Sequence, residues 1–183
     1  MKVGVLALQG DVREHFSILE KIALPRKVLY KEDFKDLDAL VIPGGESTTI
    51  TKLMKEYGID EEIIKFYKKG KLIYGTCAGA IILANKVIGK QESLGLIDVE
   101  IERNAYGRQI DSFEALIDIK YIGKFPGVFI RAPIIRKVCK GDILAYYNNS
   151  PVMVRQDNVL VTTFHSELGN DSRVHEYWLN MKG

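Results

Sequence analysis

The sequence predicts an α/β fold built on an open, mostly parallel sheet. Two features predict the sheet. Residues 3–8, 39–42 and 72–74 are short continuous apolar runs, the pattern of strands covered on both faces. Segments of helical period separate them. A third feature sets the second half apart: strand-like runs follow one another, many with turn residues between them, the pattern of antiparallel additions.

Each element has its own warrant. After the run at 3–8, Gly10 and Asp11 break the strand, and Val12, Phe16, Leu19 and Ala23 share one helical face with Asp11 placed to cap it. Residues 27–30 follow Pro25 as a second strand, and 39–42 form a third that ends at Pro43-Gly44-Gly45. Ser47 or a neighbour caps a helix to about Tyr57, which Gly58 stops. Residues 61–69 make another helix, 72–74 a fourth strand, and an apolar helix runs from Ala80. Strand–helix alternation over this half implies βαβ units. Residues 99–102, 115–119, 128–130, 134–138, 143–147, 152–155 and 159–163 read as strands, with Gly123, Pro126-Gly127, Gly141-Asp142, Asn148-Asn149 and Asp157-Asn158 as turns. Residues 172–181 form a final amphipathic helix. The expected whole is a flavodoxin-like open sheet flanked by helices, with additional antiparallel strands in the C-terminal half. No stretch has linker composition, so residues 1–183 are expected to form one domain.

Composition narrows the function. The charge balance, 26 Lys and Arg against 24 Asp and Glu, argues against a generic nucleic-acid binder. The densest basic stretch, residues 65–71, also holds Phe66, Tyr67 and Gly70 and reads as the solvated end of a helix. No apolar run approaches the roughly 20 residues a membrane span needs, and residues 1–8 lack a signal-peptide cleavage pattern. With two cysteines, Cys77 and Cys139, the expectation is a cytoplasmic chain with reduced thiols.

Gly75-Thr76-Cys77-Ala78-Gly79 carries the strongest chemical signal. It has the spacing of a nucleophile elbow, in which flanking glycines allow a sharp strand-to-helix turn that lifts the central side chain above the carboxyl edge of the sheet. A helix N-terminus there favours negative charge, and the Ala78 N–H would point at an oxyanion. The bland alternative is a small buried cysteine in a tight turn. A nucleophile needs a base, and His15, His165 and His175 are the candidates. His165 ends a strong strand and is followed by Glu167, a carboxylate able to orient its ring. Taken alone, His165-Ser166-Glu167 would read as a polar turn. A zinc site made from the three histidines has no ligand spacing behind it. Pro43-Gly44-Gly45-Glu46-Ser47 follows a strand at the same sheet edge, and its free N–H groups suit an oxyanion hole. The spacing and lysine of a phosphate-binding loop are missing.

Together these features resemble the class I, triad-type glutamine amidotransferases. Longer motifs resemble more closely the glutaminase subunits of pyridoxal 5′-phosphate synthases: Leu8-Gln9-Gly10-Asp11-Val12-Arg13-Glu14-His15, Pro43-Gly44-Gly45-Glu46-Ser47-Thr48-Thr49, the elbow, Arg103-Asn104-x-x-Gly107-Arg108-Gln109-x-Asp111-Ser112-Phe113-Glu114, and Phe129-Ile130-Arg131-Ala132-Pro133. The resemblance spans essentially the whole chain. It implies that Cys77 attacks the side-chain amide of L-glutamine, that His165 shuttles the proton, and that Glu167 orients His165. It also implies oxyanion donors from Gly45 and Ala78, and substrate contacts from Gly45, Glu46, Ser47, Arg103, Ile130 and Arg131. Gln9-Gly10 matches a segment beside the oxyanion hole. The implied partner is the synthase subunit. No metal and no cofactor of the chain's own are implied, pyridoxal 5′-phosphate being the partner's product. The family pattern His-Pro-Glu departs here to His165-Ser166-Glu167, which removes a rigid φ and is expected to loosen the turn. Two other readings stand beside this one: a triad amidotransferase serving another acceptor, and a non-enzymatic flavodoxin-like binding domain with an incidental cysteine. Cys139 is expected to be inert core.

Overall fold

The computed structural model describes residues 1–103 and 112–181. Seven strands form the main sheet: β1 (Lys2–Leu6), β2 (Leu24–Val28), β3 (Ala39–Ile42), β4 (Leu72–Thr76), β10 (Asp142–Tyr147), β11 (Ser150–Gln156) and β12 (Val159–Thr162), in the order β10-β11-β12-β4-β3-β1-β2. From β12 to β2 every pairing is parallel, while β10 and β11 are antiparallel additions. The helices are α1 (Val12–Leu19), α2 (Ser47–Glu56), α3 (Ile59–Lys68), α4 (Ala78–Leu83) and α5 (Arg173–Leu179). A second sheet has β5 (Ala84–Ile88), β6 (Ile97–Glu102) and β9 (Ile134–Val138), and β7 (Ser112–Ile119) pairs with β8 (Gly123–Ile130) as a ribbon. Among the described residues no helix is long and apolar enough to cross a membrane.

The continuous apolar runs are continuous because the sheet is covered on both sides. Successive strand residues face opposite ways, so Leu6, Leu40, Ile42, Ile73, Val159 and Val161 pack in one cluster with Ile50, Met54, Ile63 and Ile82. Val3, Val5, Val41, Tyr74 and Leu160 pack in the other with Leu19, Val174 and Trp178. The ribbon closes onto the second cluster through Phe125 and Phe129, which meet Phe164 at ring-centroid distances of 6.0 and 5.8 Å.

Several expectations need correction. The second strand starts at Leu24 and includes Pro25. Among the described residues it pairs only with β1, and an edge strand tolerates a residue without an N–H. Pro126-Gly127 lies within β8, in a ribbon where Pro126 opposes Leu116, so it does not mark a turn; Gly123, with φ 84°, does close the turn between β7 and β8. Strand β5 carried no expectation; it follows α4 directly, because that helix stops after six residues. Cys139 follows β9 and is exposed, so it is not core. Asp157 does turn the β11–β12 hairpin, with φ 50°.

Helix α4 lies close against β3. A Cβ on Gly79 would sit 2.1 Å from the Ile42 carbonyl oxygen, a backbone atom that cannot rotate away. Gly79→Ala should therefore destabilise the fold by about 1–3 kcal/mol, the cost of overpacking. Gly169→Ala, at a position with only Asp171 N at 4.0 Å, should stay within about 0.5 kcal/mol. Chemical denaturation of the two variants checks the contrast.

Candidate active site

The site forms where the carboxyl ends of four parallel strands meet. Gln9 to Asp11 follow β1, Gly44 to Ser47 follow β3, Cys77 follows β4, and His165 follows β12. Strand β1 lies between β2 and β3, so the chain leaves it in both directions across the sheet; crevices at such reversals are where open α/β sheets bind ligands.

Cys77 joins β4 to α4 with φ 48° and ψ −100°, a conformation costly for a residue with a side chain. Its N–H donates to the Thr162 carbonyl (2.9 Å). A Cβ on Gly75 would meet the Gly79 backbone at 2.6 Å, so the flanking glycines are needed for closeness as well as for the turn. The Cys77 thiol lies 3.9 Å from the Ile130 carbonyl and shares one cavity with the His165 imidazole.

His165 is 4% exposed, and its Nδ1 lies 2.7 Å from Glu167 Oε1. Its backbone N–H donates to the Val128 carbonyl (2.8 Å), which fastens the base to β8. Asp11 Oδ2 is a second carboxylate, 3.2 Å from His165 Nδ1. Asp11 was expected to cap α1, but its side chain makes no capping bond; its N–H donates to the Gly44 carbonyl (3.0 Å). Burial alone would hold the His165 imidazole neutral. The neighbouring Asp11, Cys77 and Glu167 outweigh it, and the pKa is pushed up to about 12. The same burial lifts Glu167 above the usual carboxylate range, with His165 opposing. The result is a strong proton acceptor beside a thiol. Asp11, His165 and Glu167 also place three donor atoms within 4.8 Å, but His165 Nδ1 is already committed to Glu167.

Ser166 occupies the turn between His165 and Glu167. Its hydroxyl is buried and lies 2.7 Å from the Tyr74 hydroxyl, which also meets Thr162 Oγ1 at 3.0 Å. A hydrogen bond to β4 holds the segment where a proline ring would have fixed φ.

A cavity of about 240 Å³ opens over Cys77 and is lined by Gln9, Asp11, Gly45, Glu46, Ser47, Ala78, Ile81, Arg103, Ile130, Arg131 and His165. The structure thus brings together every residue expected at the site, with Glu167 behind His165. Asn104, Gly107, Arg108, Gln109 and Asp111 of the expected motif lie outside the described residues. Asp11 and Ile81 were not anticipated as lining residues; Asp11 read as an ordinary helix cap, and Ile81 falls in the apolar helix expected from Ala80. Hydrogen bonds from the Thr48 hydroxyl and N–H, with Arg103 and Arg131 nearby, hold Glu46 below the usual carboxylate range despite partial burial. Arg103 Nη2 lies 3.3 Å from Glu46 Oε1, and Ser47 Oγ donates to Gln91 Oε1 (2.8 Å). A larger cavity, about 500 Å³, lies among α2, α3, β5 and residues 91–94; it contains none of the triad, and the smaller one is where the chemical groups converge.

Beneath the triad, His15 and His175 are wholly buried. Burial, with His175 and His165 nearby, holds His15 well below the usual imidazole range, and burial pulls His175 down to about 3. Between pH 6.5 and about 3 the unfolded chain binds a proton at His175 that the folded chain refuses, so this contribution to stability falls as pH falls. The loss from pH 6.5 to 5 should be about 1 kcal/mol per pH unit for His175, and His175→Gln should lose correspondingly less over that interval. Urea unfolding at the two pH values checks this, and an identical pH dependence of the two proteins would contradict it.

Comparison with known proteins agrees with this geometry. The chain is 50% identical over 185 residues to the pyridoxal 5′-phosphate synthase subunit PdxT of Thermosipho africanus, covering 99% of this chain and 98% of that protein. It is 49% identical over 186 residues to the PdxT of Thermus thermophilus, covering 99% and 97%. A crystal structure of a glutamine amidotransferase superposes with a TM-score of 0.93 at 48% identity, over 97% of this chain and 96% of that one. The structure of PurLQS from Thermotoga maritima, at 18% identity over 98% and 97% of the two chains, shares the fold with a TM-score of 0.74. The profile of the SNO glutamine amidotransferase family matches residues 5–182, and the chain belongs to that family.

Proposed function

We propose that the chain is the glutaminase subunit of a pyridoxal 5′-phosphate synthase, working in the cytoplasm on L-glutamine through Cys77, His165 and Glu167. The observation that carries this is a thiol on a strained elbow, in one cavity with an imidazole that a buried carboxylate orients at 2.7 Å. A binding domain with an incidental cysteine would have no need of that alignment. The motif from Arg103 to Glu114 favours the synthase over another acceptor.

The cavity offers both signs of charge to a zwitterion: Glu46 for an ammonium group, Arg103 and Arg131 for a carboxylate. With that end fixed, the side-chain amide reaches Cys77. His165 takes the thiol proton as Sγ bonds to the amide carbon. The Ala78 and Gly45 N–H groups receive the oxyanion. As the intermediate collapses, the C–N bond breaks and His165 returns the proton to the leaving ammonia. Water then adds to the thioester, giving its proton to His165, which passes it to the departing Sγ; glutamate leaves.

The three triad members act as a unit, so their losses should not add. Cys77→Ala should retain less than about a hundredth of wild-type turnover, His165→Asn nearly as little, and the double variant no less. Glu167→Gln should be milder, since the base remains. Steady-state glutamine hydrolysis measures this, and additive losses would contradict a triad.

The chain alone should be a weak glutaminase that the synthase subunit activates. Gly45 has φ 155° and no room for a Cβ, which would lie 2.5 Å from Gln9 Oε1. Only glycine serves there, and glycine permits a change of peptide orientation. The Gly44 carbonyl is held by the Asp11 N–H, a bond worth about 1 kcal/mol that docking can outweigh. Completing an oxyanion hole is worth roughly 10²–10³ in kcat, so activation should appear mainly in kcat. Full turnover by the free chain, unchanged at saturating synthase subunit, would contradict this.

A further inference from the structure

His15 is a buried titratable group that the mechanism above does not use. It sits on α1, 0% exposed, directly under the triad. Its Nδ1 lies 3.1 Å from His175 Nε2, and its Nε2 lies 3.1 Å from Thr76 Oγ1 and 3.6 Å from Glu167 Oε1. Thr76 is the residue before the nucleophile, and its Oγ1 also accepts the Gly44 N–H at 3.0 Å. One imidazole therefore stands between the triad acid on one side and, through a single hydroxyl, the Gly44-Gly45 loop on the other.

The network fixes which nitrogen carries the proton. His175 Nδ1 has no hydrogen-bond partner. If His15 Nδ1 donated to His175, the His175 proton would sit on Nδ1 as an orphaned buried N–H, and a lone pair on His15 Nε2 would face the Glu167 carboxylate. The reverse assignment removes both penalties: His175 Nε2–H donates to His15 Nδ1, and His15 Nε2–H points to Thr76 Oγ1 and Glu167 Oε1. Glu167 needs such a neighbour. It is wholly buried, Asp11 faces it with like charge, and its Oε2 has no partner. Among the described residues the His15 Nε2 faces it beside His165, 3.6 Å from Oε1.

We propose that His15 is a positioning residue whose Nε2–H holds two parts of the site in register, the Glu167 carboxylate that orients His165 and, through Thr76, the loop that supplies an oxyanion donor. This rests on the glutaminase reading. Glu46, Arg103 and Arg131, which would hold the amino-acid end of the substrate, make none of these hydrogen bonds, so disturbing the register acts mainly on kcat.

Side chains that keep one nitrogen or the other separate this role from plain packing. Gln at position 15 can present an amide N–H where Nε2 stood; Asn can reach only the place of Nδ1. In the complex with the synthase subunit, with turnover normalised to alkylatable Cys77, His15→Asn should lower kcat by about tenfold to a hundredfold, the cost of a misplacement near 1 Å, with KM for glutamine within about twofold. His15→Gln should recover kcat to within about fivefold of wild type. Thr76→Val should resemble His15→Asn, and Thr76→Ser should resemble wild type. A second readout needs no glutamine: iodoacetamide alkylation of Cys77 in a Cys139→Ser background, which reports how well His165 takes the thiol proton. It should slow in His15→Asn and recover in His15→Gln. If the glutaminase reading itself fails, no variant hydrolyses glutamine, yet the alkylation series still decides the role of His15. Normalised kcat and alkylation rates unchanged in His15→Asn, or equally low in His15→Gln, would overturn the proposal and leave His15 a packing residue.

Discussion

A thiol held at φ 48° between a strand and a helix is the constraint around which the rest is arranged. A residue with a Cβ does not stay in that conformation unless its surroundings over-determine it. Here they do: the Cys77 N–H is tied to β12, Gly75 and Gly79 remove the Cβ atoms that would force strand and helix apart, and Gly79 lets α4 close on β3. The parallel order β12-β4-β3-β1 then brings four loops to the sulfur from four strand ends. The cost of the strained residue is spread over two hydrophobic clusters, one on each face of the sheet.

The electrostatics follow from burial of the layer below. His165 and Glu167 are almost wholly withdrawn from water, where an ion is expensive unless partnered. Asp11 and Glu167 both face the imidazole, so it holds a proton strongly, while His15 and His175 stay neutral. Histidines with opposite proton affinities in one interior serve different purposes: one takes up and returns a proton, and the others supply oriented N–H groups that add no charge. The glycine loop is tied to the same layer twice, by Thr76 through the Gly44 N–H and by Asp11 through the Gly44 carbonyl.

Much of this was legible in the residues. Apolar runs without alternation implied a sheet covered on both faces, and the spacing around Cys77 implied the elbow. His165 and Glu167 were identifiable because a histidine ends a strong strand two residues before a carboxylate. What sequence could not supply was proximity across the fold. Asp11 has the spacing of a helix cap, and only the approach of β12 to the β1 loop turns its carboxylate to His165. His15 looks like any helical histidine until α5 brings His175 against it and β4 brings Thr76. Pro126-Gly127 and Pro25 read as breakers because local rules cannot know that a strand lies at an edge or in a two-stranded ribbon. Cys139 read as core because its neighbours suggested a strand, whereas β9 ends one residue earlier.

The central claim is that Cys77 becomes covalently bonded to the acyl group of glutamine. Rapid acid quench of the complex during turnover, followed by peptide mass spectrometry, tests it directly. The account predicts a mass gain of one glutamyl group on the peptide bearing Cys77, absent from the peptide bearing Cys139 and absent without glutamine. Steady hydrolysis with the Cys77 peptide unmodified at every quench time, in a protein whose thioester is shown to survive the quench, would contradict it.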